Sequence, residues 1–160
     1  MIIVLAHNKG GVGKTTTALN LTEILKPDIV IDQDAHSNLV TLNSFREPSA
    51  QFNDDITEVI GLKSFDKTLS EISAEMGTPI NGRVLFTRVH PRRKKFDDVE
   101  SFLNNSKHLS RLNTTLAARK DYPLAAIDGM GVFTHPKTKY SDAARDIKAL
   151  AIEINTLLNI

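Results

Sequence analysis

The segment KGGVGKTT at residues 9–16 constrains the fold of this chain more than any other feature. It follows a short apolar run, IIVLA (residues 2–6), and it leads into TTTALNLTEIL (residues 15–25), where apolar residues recur at helical spacing. A buried strand, a glycine-rich turn and a helix in that order bring main-chain N–H groups together around an anion. The sequence therefore predicts a phosphate site at the start of the helix.

The residue types in this loop suit the phosphates of a nucleotide and a magnesium ion. Three glycines in four positions keep side chains away from the inward-pointing N–H groups. The lysine after them can reach the β- and γ-phosphates, the next threonine can coordinate Mg²⁺, and the threonine after that can contact the α-phosphate. The predicted site consists of Gly10, Gly11, Val12, Gly13, Lys14, Thr15 and Thr16.

The loop departs once from the pattern G-x-x-x-x-G-K-[ST], because Asn8 stands where the first glycine is expected. The alternative interpretation is a glycine turn with incidental lysines. A strand before the loop and a helix after it favour the phosphate site.

The rest of the chain alternates between strand and helix patterns. DIVIDQD (residues 28–34) predicts a second buried strand, which completes a βαβ unit, and further strands are predicted at 83–89 and 112–117. Helices are predicted at 37–45, 56–76, 97–105 and 141–158, and a loop is predicted at 122–139. We expect one domain over residues 1–160 with an α/β fold, in which helices cover both faces of a mainly parallel sheet.

KGGVGKTT resembles the deviant Walker A motif of the ParA/MinD family of ATPases, and HNKGGVGKTTTALNL looks most like the partitioning members of that family. The resemblance implies a P-loop NTPase fold with ATP and Mg²⁺ as cofactors. It also implies that Lys9 crosses to the phosphates of the opposite subunit in an ATP-sandwich homodimer, and that Lys9 and Lys14 both serve catalysis. The alternative for Lys9 is a solvated surface charge.

Two further segments resemble functional parts of the same family. IVIDQDAHSN is similar to the switch segment, which implies that Asp34 places the attacking water and that Asp32 supports the magnesium shell or the lysine. Alternatively, these acids hold Mg²⁺ through water or cap the next helix. FTR lies where relatives contact adenine, which makes Thr87 and Arg88 candidates for binding the base.

One family feature has no counterpart in this sequence. Relatives carry an apolar strand that ends in an acid and holds a magnesium-bound water, whereas this chain has only REPSAQFNDD at residues 46–55. Either the protein is naturally reduced, or an internal segment near position 50 is missing from the sequence. Without that segment the sheet lacks a central strand, and ATP turnover is uncertain.

Charge is unevenly divided along the chain. Residues 1–80 hold 6 Lys/Arg against 11 Asp/Glu, a net of −5, and residues 81–160 hold 14 against 8, a net of +6. Partitioning relatives bind DNA without sequence preference, so we predict phosphate contacts in the second half. The alternative is a solvated loop. The predicted DNA contacts are Arg92, Arg93, Lys94 and Lys95, extended by Arg119, Arg145 and Lys148.

Composition limits the remaining options. The absence of cysteine excludes disulfides, thiolate metal sites and iron–sulfur clusters. No apolar run approaches the roughly 20 residues that a membrane span needs, and we expect a cytoplasmic, nucleoid-associated protein with no membrane partner. The predicted function is an ATP-dependent DNA-partitioning ATPase that hydrolyses ATP slowly with a ParB-type centromere-binding adaptor. The alternatives are a MinD-like membrane-surface positioning ATPase and a nucleotide-binding module without turnover.

Overall fold

The computed structural model describes residues 3–5, 11, 13–30, 56–90 and 96–158. Helices and a parallel pair of strands alternate in this part of the chain, which confirms the predicted α/β fold class. None of these helices combines the length and hydrophobicity that a membrane span requires. The elements are α1 (Lys14–Leu25), α2 (Ile56–Met76), β1 (Gly82–Val89), α3 (Asp97–Asn105), β2 (Leu109–Ala117), α4 (Asp121–Ile127) and α5 (Asp142–Leu158).

Strands β1 and β2 run parallel, with α3 as the connection that parallel neighbours require. Their pairing is irregular at two points. Between the pairs Val84↔Arg111 and Phe86↔Thr115, two steps along β1 correspond to four steps along β2. The second irregularity lies in β1 just before Val89 and includes a residue in the left-handed region, with φ 55°. Both strands are therefore bulged toward their carboxyl ends.

Helices pack on both faces of this strand pair, as the sequence predicts. Side chains alternate between the faces along a strand, so Leu112 and Leu116 of β2 face one cluster while Leu109 faces the other. The first cluster includes Ile147 and Leu150 of α5, both 0% exposed. The second cluster holds Leu69, Phe86, Val89 and Leu103, which come from α2, β1 and α3.

The first face also receives α1, the helix that follows the glycine loop. Leu21 of α1 is 5% exposed and belongs to the same cluster as Ile147 and Leu150. Along α5, Ile154 is partly buried and packs against this cluster, whereas Leu157 is 42% exposed. The packing of Leu21 in this cluster holds α1, which begins directly after the glycine loop, against the core.

Two predicted strands are wrong in their described parts. Residues 3–5 and 28–30 belong to no strand, and Val4 and Ile29 are 76% and 77% exposed. An apolar run predicts a tendency to form a strand, but a strand exists only where a neighbouring chain segment pairs with its main chain. The remainder of these two runs, the helix predicted at 37–45 and the segment 46–55 lie outside the described residues.

The predicted loop at 122–139 is also partly wrong, because its first third forms α4. Pro123 is compatible with this helix because it falls in the first turn, where no intrahelical N–H bond is lost. The helix ends at a glycine turn. Gly129 has φ 67°, and its N–H donates to the carbonyl of Ala126 at 2.9 Å.

Candidate functional site

The glycine loop adopts a main-chain conformation that only glycine enters without strain. Gly11 has φ 75° and Gly13 has φ 91°, both in the left-handed region. Helix α1 begins directly afterwards at Lys14, and the Thr17 N–H donates to the carbonyl of Gly13 at 2.8 Å, which closes the first helical turn. Two of the glycines that the sequence singled out, Gly11 and Gly13, are therefore required by local geometry.

The N-terminus of α1 is suited to bind an anion. Its N-cap, Gly13, has no side chain that could cap the helix, and the first turn contains no acidic residue. The positive end of the helix dipole is therefore not neutralised by a carboxylate of this turn. Lys14, Thr15 and Thr16 are half-buried there, whereas Thr17 is only 4% exposed.

The carboxyl end of β1 lies beside this loop. A Cβ placed on Gly13 would lie 3.8 Å from Thr87 Oγ1. The Arg88 guanidinium donates a hydrogen bond to the Gly11 carbonyl at 2.6 Å. Ligands of open α/β sheets bind at the carboxyl ends of the strands, so this location fits a nucleotide phosphate site.

Arg88 thus contacts the loop that is expected to hold phosphates, and Thr87 lies beside it. Their predicted contact with the adenine base stays a prediction. Arg88 lies at the bulge of β1 and has φ 55°, a conformation that costs about 1–2 kcal/mol for a residue with a Cβ. Its hydrogen bond to Gly11 gives this strained residue a specific role in holding the loop against the strand.

These residues fit Mg·ATP on the observations above. Bound Mg·ATP would supply phosphate charge and a hydrolysable anhydride, while the chain supplies N–H donors, an ammonium group and hydroxyls. Of the three predicted magnesium ligands, Thr15 is described, and Asp32 and Asp34 lie outside the described residues. Lys9, Gly10 and Val12 also lie outside them, so the cross-subunit role of Lys9 stays a prediction.

The residues predicted to bind DNA divide into two groups. Arg92, Arg93, Lys94 and Lys95 lie outside the described residues. Of the others, Arg145 and Lys148 lie on α5, and Arg119 contacts this helix. Arg119 already has carboxylate partners there, since it donates hydrogen bonds to Asp142 and Asp146 at 3.1 Å each. Arg145 also pairs with Asp142. An arginine held by two carboxylates must give up those contacts to bind a phosphate, whereas Lys148 is exposed.

Two residues next to the site were not predicted from the sequence. Asn20 and Glu23 of α1 accept hydrogen bonds from the main chain at Val132 and Gly131. Their partners lie more than 100 positions away in the chain. A polar residue in a helix gives no sequence signal for so distant a contact. The unusual burial of Asn20 is seen only in the structure.

Comparison with known proteins gives one match. A family model described as an AAA domain matches residues 1–129, which include the glycine loop and the described elements from α1 to α4. No curated protein and no solved structure matches the chain significantly.

Proposed function

The chain belongs to the AAA domain family, a ParA/MinD-like family of P-loop ATPases, and on that premise we propose that it is a DNA-partitioning ATPase. It binds Mg·ATP, forms an ATP-dependent homodimer and associates with DNA without sequence preference. A ParB-type adaptor stimulates its slow hydrolysis of ATP. We propose that the protein acts in the cytoplasm, on nucleoid DNA.

The observation that carries nucleotide binding is the pair of left-handed glycines directly before α1. Gly11 and Gly13 shape the main chain so that N–H groups precede an uncapped helix N-terminus. Lys14 is the first residue of that helix and supplies the cation. This combination of donors, dipole and ammonium group matches a polyphosphate better than any neutral ligand.

The proposed dimerisation depends on Lys9, five residues before Lys14 in the sequence. A cation that neutralises the partner's phosphates stabilises the dimer only while a triphosphate is bound. Nucleotide binding and association are thereby coupled, and hydrolysis weakens the contact. The support for this step is the resemblance of KGGVGKTT to the deviant Walker A motif, in which the early lysine has this role.

Binding to DNA is supported by charge. Residues 81–160 carry a net charge of +6, and a dimer brings two such halves together. Each phosphate contact releases condensed counterions, and contacts on two subunits act in concert. ATP can therefore strengthen DNA binding through dimerisation alone.

The packing of α5 favours DNA over a membrane surface as the partner. A membrane-surface ATPase would need an amphipathic helix with its apolar face available to lipid. In α5, the residues Ala143, Ile147 and Leu150 are 0% exposed, because they pack against β2 and α1. Its apolar face is used within the described part of the protein.

A second candidate function is a nucleotide-binding switch without turnover. Strand β1 ends in Thr87, Arg88 and Val89, and β2 ends in Leu116 and Ala117, so neither described strand ends in a carboxylate. An acid at such a position would be expected to hold a magnesium-bound water. Turnover then depends on Asp34, and the two candidates differ in whether phosphate is released.

The test of nucleotide binding is equilibrium titration of Lys14→Ala with Mg·ATP. We expect loss of binding, because the variant lacks the cation on the β- and γ-phosphates. Lys67→Ala is the matched control, since that lysine is exposed on α2 and pairs with Glu71 at 3.7 Å. Undiminished ATP binding by Lys14→Ala would refute the assignment.

Phosphate release by the unchanged protein and by Asp34→Ala separates the two candidates. Release that depends on Asp34 supports the ATPase. No release from either protein, with ATP binding intact, supports the switch without turnover.

A further inference from the structure

Helix α1 is joined to the distant segment 131–134 by two side chains. The Asn20 side-chain oxygen accepts the N–H of Val132 at 2.7 Å. The Glu23 carboxylate accepts the N–H of Gly131 at 2.7 Å through one oxygen and the hydroxyl of Thr134 through the other. We call these contacts the α1 bridge.

The bridge reaches the phosphate site through Asn20. The Asn20 side-chain NH₂ donates to the carbonyl of Thr16 at 2.7 Å, and Thr16 lies in the first turn of α1. Asn20 is 2% exposed, so both ends of its amide are committed to protein partners. A buried amide with one donor and one acceptor contact has a fixed orientation, because turning it over would oppose donor to donor and acceptor to acceptor.

Segment 131–134 is itself well anchored. Val132 is 0% exposed in the core cluster that includes Leu21, and its carbonyl accepts the Thr138 hydroxyl at 2.9 Å. Behind it, the ring of His135 contacts Asp128 at 2.9 Å. The segment is therefore a firm support for α1.

Gly131 shows how closely the two parts fit. A Cβ at this position would overlap the Glu23 carboxylate and lie 3.0 Å from Asn20 Oδ1. A side chain at residue 131 would therefore displace the Glu23 carboxylate from its contact with this segment. The contact depends on glycine on one side and on two polar side chains on the other.

We propose that Asn20 and Glu23 are positioning residues of the phosphate site. They hold α1 against segment 131–134, Asn20 also binds the Thr16 carbonyl in the first turn, and together they couple nucleotide occupancy to the order of that segment. Because coupling between two sites is reciprocal, a bridge that aids nucleotide binding must itself be tightened by the nucleotide. This inference rests on the proposed binding of Mg·ATP at Lys14 and Thr15.

The first test compares variants of Asn20 and Glu23 by equilibrium titration with Mg·ATP. Asn20→Asp still accepts the Val132 N–H but opposes a carboxylate oxygen to the Thr16 carbonyl, and Glu23→Ala removes its half of the bridge. We expect each to weaken ATP binding about tenfold, the size of one hydrogen-bond contribution. Glu23→Gln keeps an acceptor for Gly131 and should bind nearly as the unchanged protein does.

The second test needs no variant. Hydrogen exchange of the Gly131 and Val132 amides in the unchanged protein should slow when Mg·ATP is added, and this response should be lost in Asn20→Asp. Gly131→Ala disturbs the α1 bridge within segment 131–134 instead of within α1, and it should weaken ATP binding in the same way. These readouts report coupling, which a purely structural role of Asn20 would not produce.

Ile147→Val is the control for general destabilisation, since Ile147 is 0% exposed in the same cluster and makes no part of the bridge. It should leave ATP affinity unchanged. The inference is overturned if Asn20→Asp and Glu23→Ala bind ATP as the unchanged protein does. It is also overturned if Mg·ATP does not change the hydrogen-exchange rate at 131–134, or if Ile147→Val weakens ATP binding as much as the bridge variants do. ATP binding by Lys14→Ala would instead refute the proposed function, which keeps the two failures distinct.

Discussion

The carboxylate of Glu153 in α5 accepts the main-chain N–H of Thr114 in β2 at 2.8 Å. Its other oxygen accepts the N–H of the preceding residue, Asn113, at 2.7 Å. In a regular strand, consecutive N–H groups point to opposite edges, so one side chain cannot reach both. Glu153 therefore satisfies two consecutive N–H groups at the point where the bulge of β2 departs from regular pairing with β1.

This contact predicts an acid-sensitive link between α5 and the sheet. Burial raises the pKa of Glu153, but the hydrogen bonds from Asn113 and Thr114 outweigh it and hold the pKa below the ordinary value. A carboxyl with a lowered folded-state pKa stabilises the fold above its unfolded pKa, about 4.3. That contribution is lost as the pH falls through the folded pKa.

Glu153→Gln should therefore lower the free energy of unfolding by about 1 kcal/mol at neutral pH. The difference from the unchanged protein should shrink below about pH 4. Urea denaturation at several pH values measures both effects. Glu75→Gln, an exposed change on α2, is the control and should alter neither. A difference that stays constant down to acid pH would contradict the role given to Glu153.

The second prediction concerns the left-handed glycines. Among the described residues Gly13→Ala meets no steric overlap, since the nearest of their atoms to its Cβ is Thr87 Oγ1 at 3.8 Å, but φ 91° is strained for alanine. Gly77→Ala is a matched control with φ 65°, a position after α2, and no atom of the described part of the chain within 4 Å of its Cβ. Each should lose about 1–2 kcal/mol of stability.

Only Gly13→Ala should also weaken ATP binding, roughly tenfold, because relief of the strain moves the phosphate loop. Thermal unfolding and ATP titration of the two variants give both quantities. Equal ATP affinities in the two variants would show that the loop conformation does not matter for binding.

The third prediction tests the early lysine. Lys9→Ala should bind ATP but remain monomeric in sedimentation with a non-hydrolysable ATP analogue, because the charge that reaches the partner's phosphates is gone. The unchanged protein and Lys67→Ala should both dimerise with the analogue. An analogue-dependent dimer of Lys9→Ala would sink the cross-subunit assignment.

The fourth prediction separates the basic residues by their role. Replacing Arg92, Arg93, Lys94 and Lys95 with alanine should weaken binding to unrelated DNA duplexes equally and leave ATP binding intact. Each lost contact should flatten the slope of log affinity against log salt by about 0.9. Fluorescence titration of labelled duplexes over a range of salt concentrations measures the slope.

Arg119→Ala is the comparison for that experiment. Because Arg119 pairs with Asp142 and Asp146, its loss should reduce stability by about 1 kcal/mol and leave the salt slope unchanged. If the fourfold variant keeps its slope, the DNA surface lies elsewhere, and Arg145 and Lys148 become the residues to test.

Features that depend on neighbouring residues were predictable from the sequence alone. The helices at 56–76 and 97–105 and the start of α1 after the glycine loop follow from apolar spacing and from Gly13. Helical periodicity and the left-handed tolerance of glycine operate within a few residues, so a pattern in the sequence is sufficient to find them. The α/β fold class follows from their order.

Contacts between distant parts of the chain were decided only by the tertiary structure. Three contacts join residues that are far apart in the sequence: the hydrogen bonds of Glu153 at the bulge of β2, the α1 bridge, and the ion pairs of Arg119. The exposure of Val4 and Ile29 belongs here too, because whether an apolar run is paired and buried depends on its neighbours. Local chemistry specifies which conformation a segment prefers, whereas partners are set by the packing of the whole chain.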